Sequence, residues 1–280
     1  MPELPEVETV ARGLDSALAG RTITAVDVVW PGSIVELDPG TFVSRLRGQR
    51  VRGVGRRGKW IVFDLDVGDV LLVHLRMTGR LLIEPERCAD PDYLRIRFVF
   101  DDGRSLCFSD MRKFGRVWLL DDPAVVLGEL GPEPLADGFT AERLGEILTS
   151  RQRQIKPLLL DQRVIAGLGN IYVDESLWRA AIHPLRRSDT LSVGEVQRLH
   201  QSIRAVLKEA IQREGTTLDD RGYVGADGRP GGFAEELGVY GRAGEACRRC
   251  GWAIERIVVG QRGTHICLLC QPPPEESTGA

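Results

Sequence analysis

The stretch CRRCGWAIERIVVGQRGTHICLLC, residues 247–270, begins and ends with two cysteines that are separated by two residues. Two such pairs about 15–20 residues apart offer four thiolates for the tetrahedral coordination that zinc prefers. All four positions are then filled by the protein, so the spacing predicts one structural zinc ion with His265 as a disfavoured alternative ligand. The predicted ligands are Cys247, Cys250, Cys267 and Cys270.

The residues between the cysteine pairs favour a β-hairpin over about 257–266. Arg262 is expected at its tip, between Gly260 and Gly263. A hairpin that is held by zinc and presents an arginine suits contact with a phosphate. The motif therefore favours nucleic-acid binding, although zinc ribbons also serve protein contacts.

The chain before the cysteines carries helix signals. Ser192 and Glu195 form a capping box ahead of apolar residues at three-and-four spacing up to Ala210. Thr140 is a candidate N-cap for a helix to Leu148. These signals predict a mainly helical half.

A glycine-rich turn, Gly167-Leu168-Gly169-Asn170, separates two further helical stretches, 155–161 and 171–180. This order predicts a helix–two-turns–helix arrangement, and its glycines allow the backbone to approach a phosphate closely. The glycine-rich segment 216–233 has no apolar period. It is predicted to be a long loop, which in a compact protein is often functional.

The N-terminal half has a different pattern. Residues 7–18 place one apolar stripe on a helix, and residues 21–120 follow as short β-rich runs with turn signals such as Asp102-Gly103. Examples of these runs are 23–30, 60–65, 70–75, 94–100 and 117–120, and residues 94–98 alternate strictly, as a half-buried strand does. We expect an antiparallel β-sandwich or barrel there. Cys88 and Cys107 are expected to be buried thiols in this half.

These patterns predict an α+β chain of two domains, with an N-terminal helix and antiparallel β-sandwich followed by a helical domain with a zinc hairpin. The predicted divisions are a β-sandwich domain at 1–120, a linker at 121–138, a helical domain at 139–240, a zinc finger at 241–271 and a disordered tail at 272–280.

Composition narrows the class of protein. The 280 residues include 42% apolar and 28% charged residues, which fits a globular chain and excludes a fibrous or disordered one. We find no apolar run of the ~18 residues that a membrane span needs and no secretory signal, so no membrane partner and a cytoplasmic location are expected.

The charge is unevenly distributed. The net charge is −3, but residues 44–59 hold seven basic residues and no acidic one, whereas 121–137 hold five acidic residues and no basic one. A polyanion responds to the local pattern of charge. The basic run is compatible with a nucleic-acid groove or with a solvated face.

The N-terminus offers a nucleophile. If Met1 is removed, Pro2 carries a secondary amine, and an α-amino group has a pKa near 8, so part of it is unprotonated at neutral pH. Such an amine can form an imine, with Glu3 and Glu6 beside it for proton transfer. The alternative is that proline and acidic residues merely favour a helix start.

The opening MPELPEVETVARGL, residues 1–14, resembles the formamidopyrimidine-DNA glycosylase family, bacterial enzymes that excise oxidised purines from DNA. The likeness covers nearly the whole chain, because further segments resemble family motifs in the right order. They are GKW (58–60), HLRMTG (74–79), DMRKFG (110–115), GLGNIYVDE (167–175), GQRGTH (260–265) and the paired cysteines.

The resemblance implies a base-excision repair enzyme, a bifunctional DNA glycosylase and abasic-site lyase with one structural zinc. It implies that a monomer in the cytoplasm, associated with the nucleoid, acts on double-stranded DNA containing 8-oxoguanine, formamidopyrimidines or abasic sites. Pro2 would attack C1′ of the damaged nucleotide, Glu3 would move protons, and Glu6 would support that network. The imine would then permit β,δ-elimination of the strand.

Roles in DNA contact are implied in the same way. Lys59 and Arg262 would hold phosphates near the reacting sugar, and further DNA contacts would come from His74, Lys156 and Asn170. The space left by the extruded base would be filled by Met77, Arg112 and Phe114. Apolar wedges offset the cost of extrusion by replacing lost stacking, and arginine can bond to the orphaned cytosine.

The loop 216–233 resembles the damaged-base loop, with Thr217 and Tyr223 near the base. The run Asp219-Asp220-Arg221 departs from the usual Arg-Asp-Phe-like sequence at the loop that reads the damaged base. Arg76 and Met111 stand where glycine and proline are usual, which can alter the stiffness of the wedge loops.

Two other interpretations remain open. An endonuclease VIII-like glycosylase would prefer oxidised pyrimidines, but that branch usually has glycine where Leu4 stands. A non-catalytic zinc-ribbon DNA-binding protein would not depend on Pro2 or Glu3.

Overall fold

A computed structural model describes residues 1–84, 93–218 and 222–274. The chain forms two compact units, the first made of Met1–Glu129 with Ala210–Ala234 and the second of Leu130–Glu209 with Glu235–Ala280. The loop 216–233 thus groups with the sheets, although it follows the helical segments in sequence. The last part of the predicted tail, 275–280, lies outside the described residues.

The first unit opens with helix α1, Leu4–Leu18. Pro5 lies in its first turn, where the missing amide hydrogen costs nothing, and Glu3 is the N-cap. Val7, Val10 and Leu14 are completely or almost completely buried, so the predicted apolar stripe faces the core.

Eight strands follow in this unit: β1 Ile23–Val28, β2 Val51–Arg57, β3 Trp60–Leu65, β4 Val70–His74, β5 Gly79–Glu84, β6 Leu94–Phe100, β7 Ser105–Asp110 and β8 Arg116–Leu120. They form two four-stranded antiparallel sheets with strand orders β1-β6-β7-β5 and β2-β3-β4-β8. Apolar residues from both sheets and α1 share one core, which confirms the predicted sandwich. Two short helices, α2 Pro39–Leu46 and α3 Ala124–Leu127, complete the first 129 residues.

Two details of the sheets differ from simple expectation. Strand β6 alternates as predicted except at Arg95, which is buried because its Nε donates to the Asp110 carbonyl (2.9 Å) and its Nη1 to the Leu94 carbonyl (3.1 Å). Cys107 is buried but is disulfide-bonded, not the free thiol that we expected. Cys88 lies outside the described residues.

The second unit contains helices α4 Ala141–Thr149, α5 Ile155–Leu160 and α6 Asn170–Ala180, and most of α7, Val193–Gln212. Thr140 caps α4 by accepting the Arg143 amide hydrogen at 3.2 Å. Ser192 and Glu195 form the predicted capping box of α7. The predicted hairpin consists of β9 Glu255–Val259 and β10 Arg262–Ile266, which pair antiparallel.

Candidate active site and DNA interface

Glu3 and Glu6 form a capping box at the start of α1, in which each side chain accepts the backbone amide hydrogen of the other residue. Both residues are buried, with exposed fractions of 3% and 2%. The Glu3 amide donates to Glu6 Oε2 at 2.8 Å, and the Thr216 amide donates to Glu6 Oε1 at 2.8 Å. Glu6 therefore links the helix start to the loop 216–233 inside the first unit. Pro2, next to this pair, is also buried.

Gly215 allows that close approach. Its φ is +85°, and a Cβ atom there would lie 3.0 Å from Glu6 Oε1 and 3.1 Å from the Tyr223 ring. An L side chain at this position would be strained by its backbone and crowded by the carboxylate. The glycine is thus required where the loop meets Glu6.

Thr217 and Tyr223 make hydrogen bonds within the segment 214–223. The Tyr223 hydroxyl donates to the Glu214 carbonyl at 2.9 Å, and Thr217 Oγ1 donates to the Tyr223 carbonyl at 2.9 Å. Burial first, and the charge of Glu6 second, raise the pKa of Tyr223, so its hydroxyl stays protonated. Residues 219–221, whose sequence departs from the family pattern, lie outside the described part of the loop.

Lys59 and His74 lie in the same sheet of the sandwich. Lys59 is in the turn between β2 and β3, next to Gly58, whose φ is +57°. Burial, with the charges of Arg76 and Lys59, lowers the pKa of His74 to about 3. Because His74 Nδ1 accepts the Arg76 amide hydrogen at 3.0 Å, the ring proton is on Nε2. His74 can therefore donate a neutral hydrogen bond to a phosphate, but it adds no charge.

The three predicted wedge residues form one exposed cluster. Met77 and Phe114 are 44% and 46% exposed, which is unusual for such apolar side chains. Arg112 Nη1 lies 3.2 Å from Met77 Sδ, and the Arg112 guanidinium stacks over the Phe114 ring at 4.6 Å from its centroid. The structure thus brings together Met77 and Phe114, which are 37 positions apart in sequence, through their contacts with Arg112.

The charge of Lys156 is paired inside the second unit. The lysine is completely buried, and its Nζ donates to Asp174 Oδ1 (2.6 Å), to Thr264 Oγ1 (2.7 Å) and to the Gly263 carbonyl (3.2 Å). All three ammonium protons are used inside the protein. In this structure the side chain holds the zinc hairpin against α5 and α6, and the DNA contact expected of Lys156 stays a prediction.

Asn170 and Arg262 are placed through the same hairpin. Asn170 Nδ2 donates to the Gly263 carbonyl at 2.9 Å. Gly263 directly follows Arg262, and Arg262 is exposed at the start of β10. Asn170 Oδ1 is buried and has no hydrogen-bond partner among the described residues. The turn 167–170 and the hairpin therefore meet within the second unit, with the guanidinium free to reach solvent.

Sequence analysis missed two carboxylates that organise this unit. Glu175 is completely buried and accepts the backbone amide hydrogens of Gly238, Val239 and Tyr240, each at 2.9 Å. Asp174 accepts the His265 amide hydrogen at 2.9 Å. Both lie in the quoted motif 167–175, so the signal was present, but the backbone amides that they bind are 63 to 91 residues away.

The four predicted zinc ligands converge. Their sulfur atoms all lie within 4.8 Å of one another, with Cys250–Cys267 at 3.4 Å and Cys247–Cys270 at 3.9 Å. Four sulfurs around one zinc at 2.3 Å lie about 3.8 Å apart, so the cysteines fit one tetrahedral ion. His265 is not in the group, since its backbone binds Asp174 and its ring packs on Tyr240.

Family models match three parts of the chain. They are the formamidopyrimidine-DNA glycosylase N-terminal domain at residues 1–117, the formamidopyrimidine-DNA glycosylase H2TH domain at 130–221, and a zinc finger found in FPG and IleRS at 244–273. None of the helices in the described ranges is long and apolar enough to cross a membrane.

Whole-chain comparisons agree with the domain matches. A formamidopyrimidine-DNA glycosylase of Chloroflexus aggregans is 49% identical over 274 residues, covering 97% of this chain and 98% of that protein. Two crystal structures of Lactococcus lactis Fpg, one with DNA containing N7-benzyl-Fapy-dG and one with DNA containing an abasic site, each share 36% identity and a TM-score of 0.89. Each covers 97% of this chain and 100% of its own. The chain belongs to the formamidopyrimidine-DNA glycosylase family.

Proposed function

We propose that the protein is a bifunctional DNA glycosylase and abasic-site lyase that removes oxidised purines in base-excision repair. Family membership supports the reaction class. The observation that carries the proposal for this chain is the buried cluster of Pro2, Glu3 and Glu6, with Glu6 bonded to Thr216 of the loop. A reactive terminus, two carboxylates and a candidate base-reading loop thereby occur within one unit.

Pro2 is the proposed nucleophile. With Met1 attached, the Pro2 nitrogen is an amide and cannot attack, so the reaction requires removal of Met1. The freed amine attacks C1′ of the damaged nucleotide as the C1′–base bond breaks and the base departs with a proton. Glu3 supplies and removes protons at the sugar ring oxygen, and Glu6 keeps Glu3 in place through the 2.8 Å contact with the Glu3 amide.

The C1′–O4′ bond of the resulting aminal then breaks as Glu3 gives a proton to the ring oxygen, which opens the sugar and forms an iminium between Pro2 and C1′. This iminium makes the C2′ proton acidic. Loss of this proton expels the 3′ phosphate, and a second elimination expels the 5′ phosphate, so both strand ends leave as phosphates. Hydrolysis of the imine returns the Pro2 amine. No oxidant or reductant is needed, because each elimination only moves a proton and an electron pair.

DNA is held by phosphate contacts and by the wedge. Lys59, Arg262, Asn170 and, through a neutral hydrogen bond, His74 are proposed to hold phosphates around the extruded nucleotide. Met77, Arg112 and Phe114 are proposed to replace it in the stack, with Arg112 bonding the orphaned cytosine. Thr217 and Tyr223 are proposed to line the base pocket.

The zinc ion has a structural role. Cys247, Cys250, Cys267 and Cys270 hold it, and it supplies no open coordination position for a reacting water. Its contribution is to fix the hairpin that carries Arg262. We further propose that the protein acts as a monomer in the cytoplasm, with 1–120 as the catalytic domain, 121–138 as a linker, 139–240 as the helical DNA-binding domain and 241–271 as the zinc finger.

Excision assays on defined duplexes test the function. Matched duplexes contain 8-oxoguanine, a formamidopyrimidine or thymine glycol at one position, and Glu3→Gln is compared with the wild type. We expect release of both purines, with strand cleavage, and strong loss in Glu3→Gln. Faster release of thymine glycol would favour an endonuclease VIII-like preference. Absence of both base release and strand cleavage by the wild type, with duplex binding retained, would favour a non-catalytic DNA-binding protein.

A further inference from the structure

Two loops carry the wedge residues, and both are conformationally strained. Residues 75–79 carry Met77, and residues 110–115 carry Arg112 and Phe114. Arg76 and Lys113 have φ values of 54° and 58°, in the left-handed region that is unfavourable for an L residue. Such strain persists only where the surroundings fix the backbone, so something must hold both loops.

The carboxylate of Asp110 holds them. Asp110 is 1% exposed, and its Oδ2 accepts the Gly115 amide hydrogen at 2.7 Å, across the second loop. Its Oδ1 accepts from the Thr78 hydroxyl of the first loop and from the Arg112 amide at 3.2 Å. Thr78 Oγ1 in turn accepts the Arg112 amide hydrogen at 3.2 Å. One buried carboxylate thus joins the two loops to each other.

The surroundings leave Asp110 little freedom. Its amide donates to the Tyr93 carbonyl at 2.8 Å, and its carbonyl accepts from the buried Arg95. A Cβ atom on Gly115 would lie 2.5 Å from the Phe108 ring and 3.2 Å from Asp110 Oδ2, so the second loop can close on the carboxylate only because residue 115 is glycine. The buried Asp110 carboxylate is therefore held in one position between the two loops that carry the exposed wedge residues.

We propose that Asp110 is a positioning residue for recognition of the opposite base. By bonding the Arg112 amide directly and through Thr78, it fixes where the Arg112 guanidinium stands relative to Met77 and Phe114. An arginine that reads one base edge must be held to within a fraction of an ångström, since hydrogen bonds weaken steeply with misalignment. This inference rests on the proposed function, because it assumes that the wedge enters DNA.

The first test is Asp110→Asn, with Asp102→Asn in the exposed β6–β7 turn as the matched control. Asparagine keeps one acceptor oxygen but places an NH2 group against amide or hydroxyl donors on its other side. We expect 8-oxoguanine excision opposite cytosine to fall about 10-fold or more in Asp110→Asn, since a lost bond to a buried charged group shifts an equilibrium by about that factor. The preference for cytosine over adenine as the opposite base should fall with it.

A second substrate separates positioning from general damage. A single-stranded abasic oligonucleotide has no opposite base, so its borohydride trapping should be unchanged in Asp110→Asn. Thr78→Val, with Thr24→Val as its control, removes the bridging hydroxyl and leaves Asp110 in place. It should lower the opposite-base preference in the same direction, and it tests the inference if Asp110→Asn does not fold.

These experiments distinguish a wrong inference about Asp110 from a wrong proposed function. If the wild type itself neither excises nor traps, the proposed function is wrong. If the wild type is active and Thr78→Val or folded Asp110→Asn keeps the full preference for cytosine, the inference about Asp110 is wrong. It is also wrong if single-stranded trapping falls as much as duplex excision at unchanged melting temperature.

Discussion

Replacing Lys156 with methionine tests whether the second unit is organised around a buried ion pair. Lys156 and Asp174 are both completely buried, with Nζ and Oδ1 2.6 Å apart. In Lys156→Met, Asp174 keeps the His265 amide as a donor but loses its counter-charge. Removing one partner of a buried pair costs about 3–5 kcal/mol, a large part of the ~5–15 kcal/mol that a typical domain has.

The double variant Lys156→Met/Asp174→Leu distinguishes pairing from simple packing. With both charges removed, much of that cost should be recovered, because no uncompensated charge remains. A double-mutant cycle should therefore give a coupling energy above about 2 kcal/mol. Lys208→Met, on the exposed face of α7, is the matched control and should change stability by less than about 0.5 kcal/mol.

Urea unfolding at a fixed zinc concentration measures the free energies of unfolding of all the variants. The rate of zinc release to a chelator separately measures the stability of the zinc hairpin. We expect Lys156→Met to release zinc faster and to bind abasic duplex more weakly, because Thr264 and the Gly263 carbonyl of the hairpin lose their donor. A single variant as stable as the Lys208→Met control, with additive effects in the cycle, would refute the reasoning.

Other perturbations follow from the same geometry. Gly215→Ala should destabilise the protein by about 1–2 kcal/mol, because φ is +85° and the new Cβ would meet Glu6, with thermal unfolding and excision rate as readouts. The pKa of His74 is about 3 in the folded protein and near 6.5 in the unfolded chain, so between these pH values only the unfolded chain binds a proton at His74. The free energy of unfolding should therefore fall by about 1.4 kcal/mol per pH unit as the pH drops from 6.5 toward 3. A His74→Gln variant should lack this contribution to the pH dependence of stability. Removing zinc should disorder the hairpin and weaken duplex binding, and full binding after verified metal loss would exclude the structural role. The logarithm of duplex affinity should fall linearly with the logarithm of salt concentration. Lys59→Met should reduce the magnitude of this slope by about 1, because one phosphate contact is lost.

Much of the fold could be predicted because local signals agree with the tertiary structure. Strands β3 and β6 begin and end where the apolar pattern predicts, and the Thr140 and Ser192 caps begin α4 and α7. Strand β2 was missed because a register shift between Val51 and Gly53 breaks its alternation and leaves Val51 and Val54 as its buried residues. Helix α2 was missed although Asp38 and Pro39 are ordinary start signals.

The site was predictable in its residue types but not in its contacts. The spacing of the two Cys-x2-Cys pairs is enough to predict a four-cysteine zinc site, and the four sulfur atoms do lie close together. By contrast, Glu6 meets Thr216 across 210 residues and Lys156 meets Thr264 across 108, and no local pattern encodes either pairing. Likewise, no local signal indicates that the charge of Lys156 is used in tertiary packing inside the protein.

Mapping the crosslink tests the central claim most directly. The mature protein is trapped with borohydride on a duplex containing 8-oxoguanine opposite cytosine, digested, and the DNA-linked peptide is sequenced by mass spectrometry. The account predicts that Met1 is absent and that the sugar is attached to the nitrogen of Pro2. Attachment to the side chain of Lys59, or to any other amine, would contradict it.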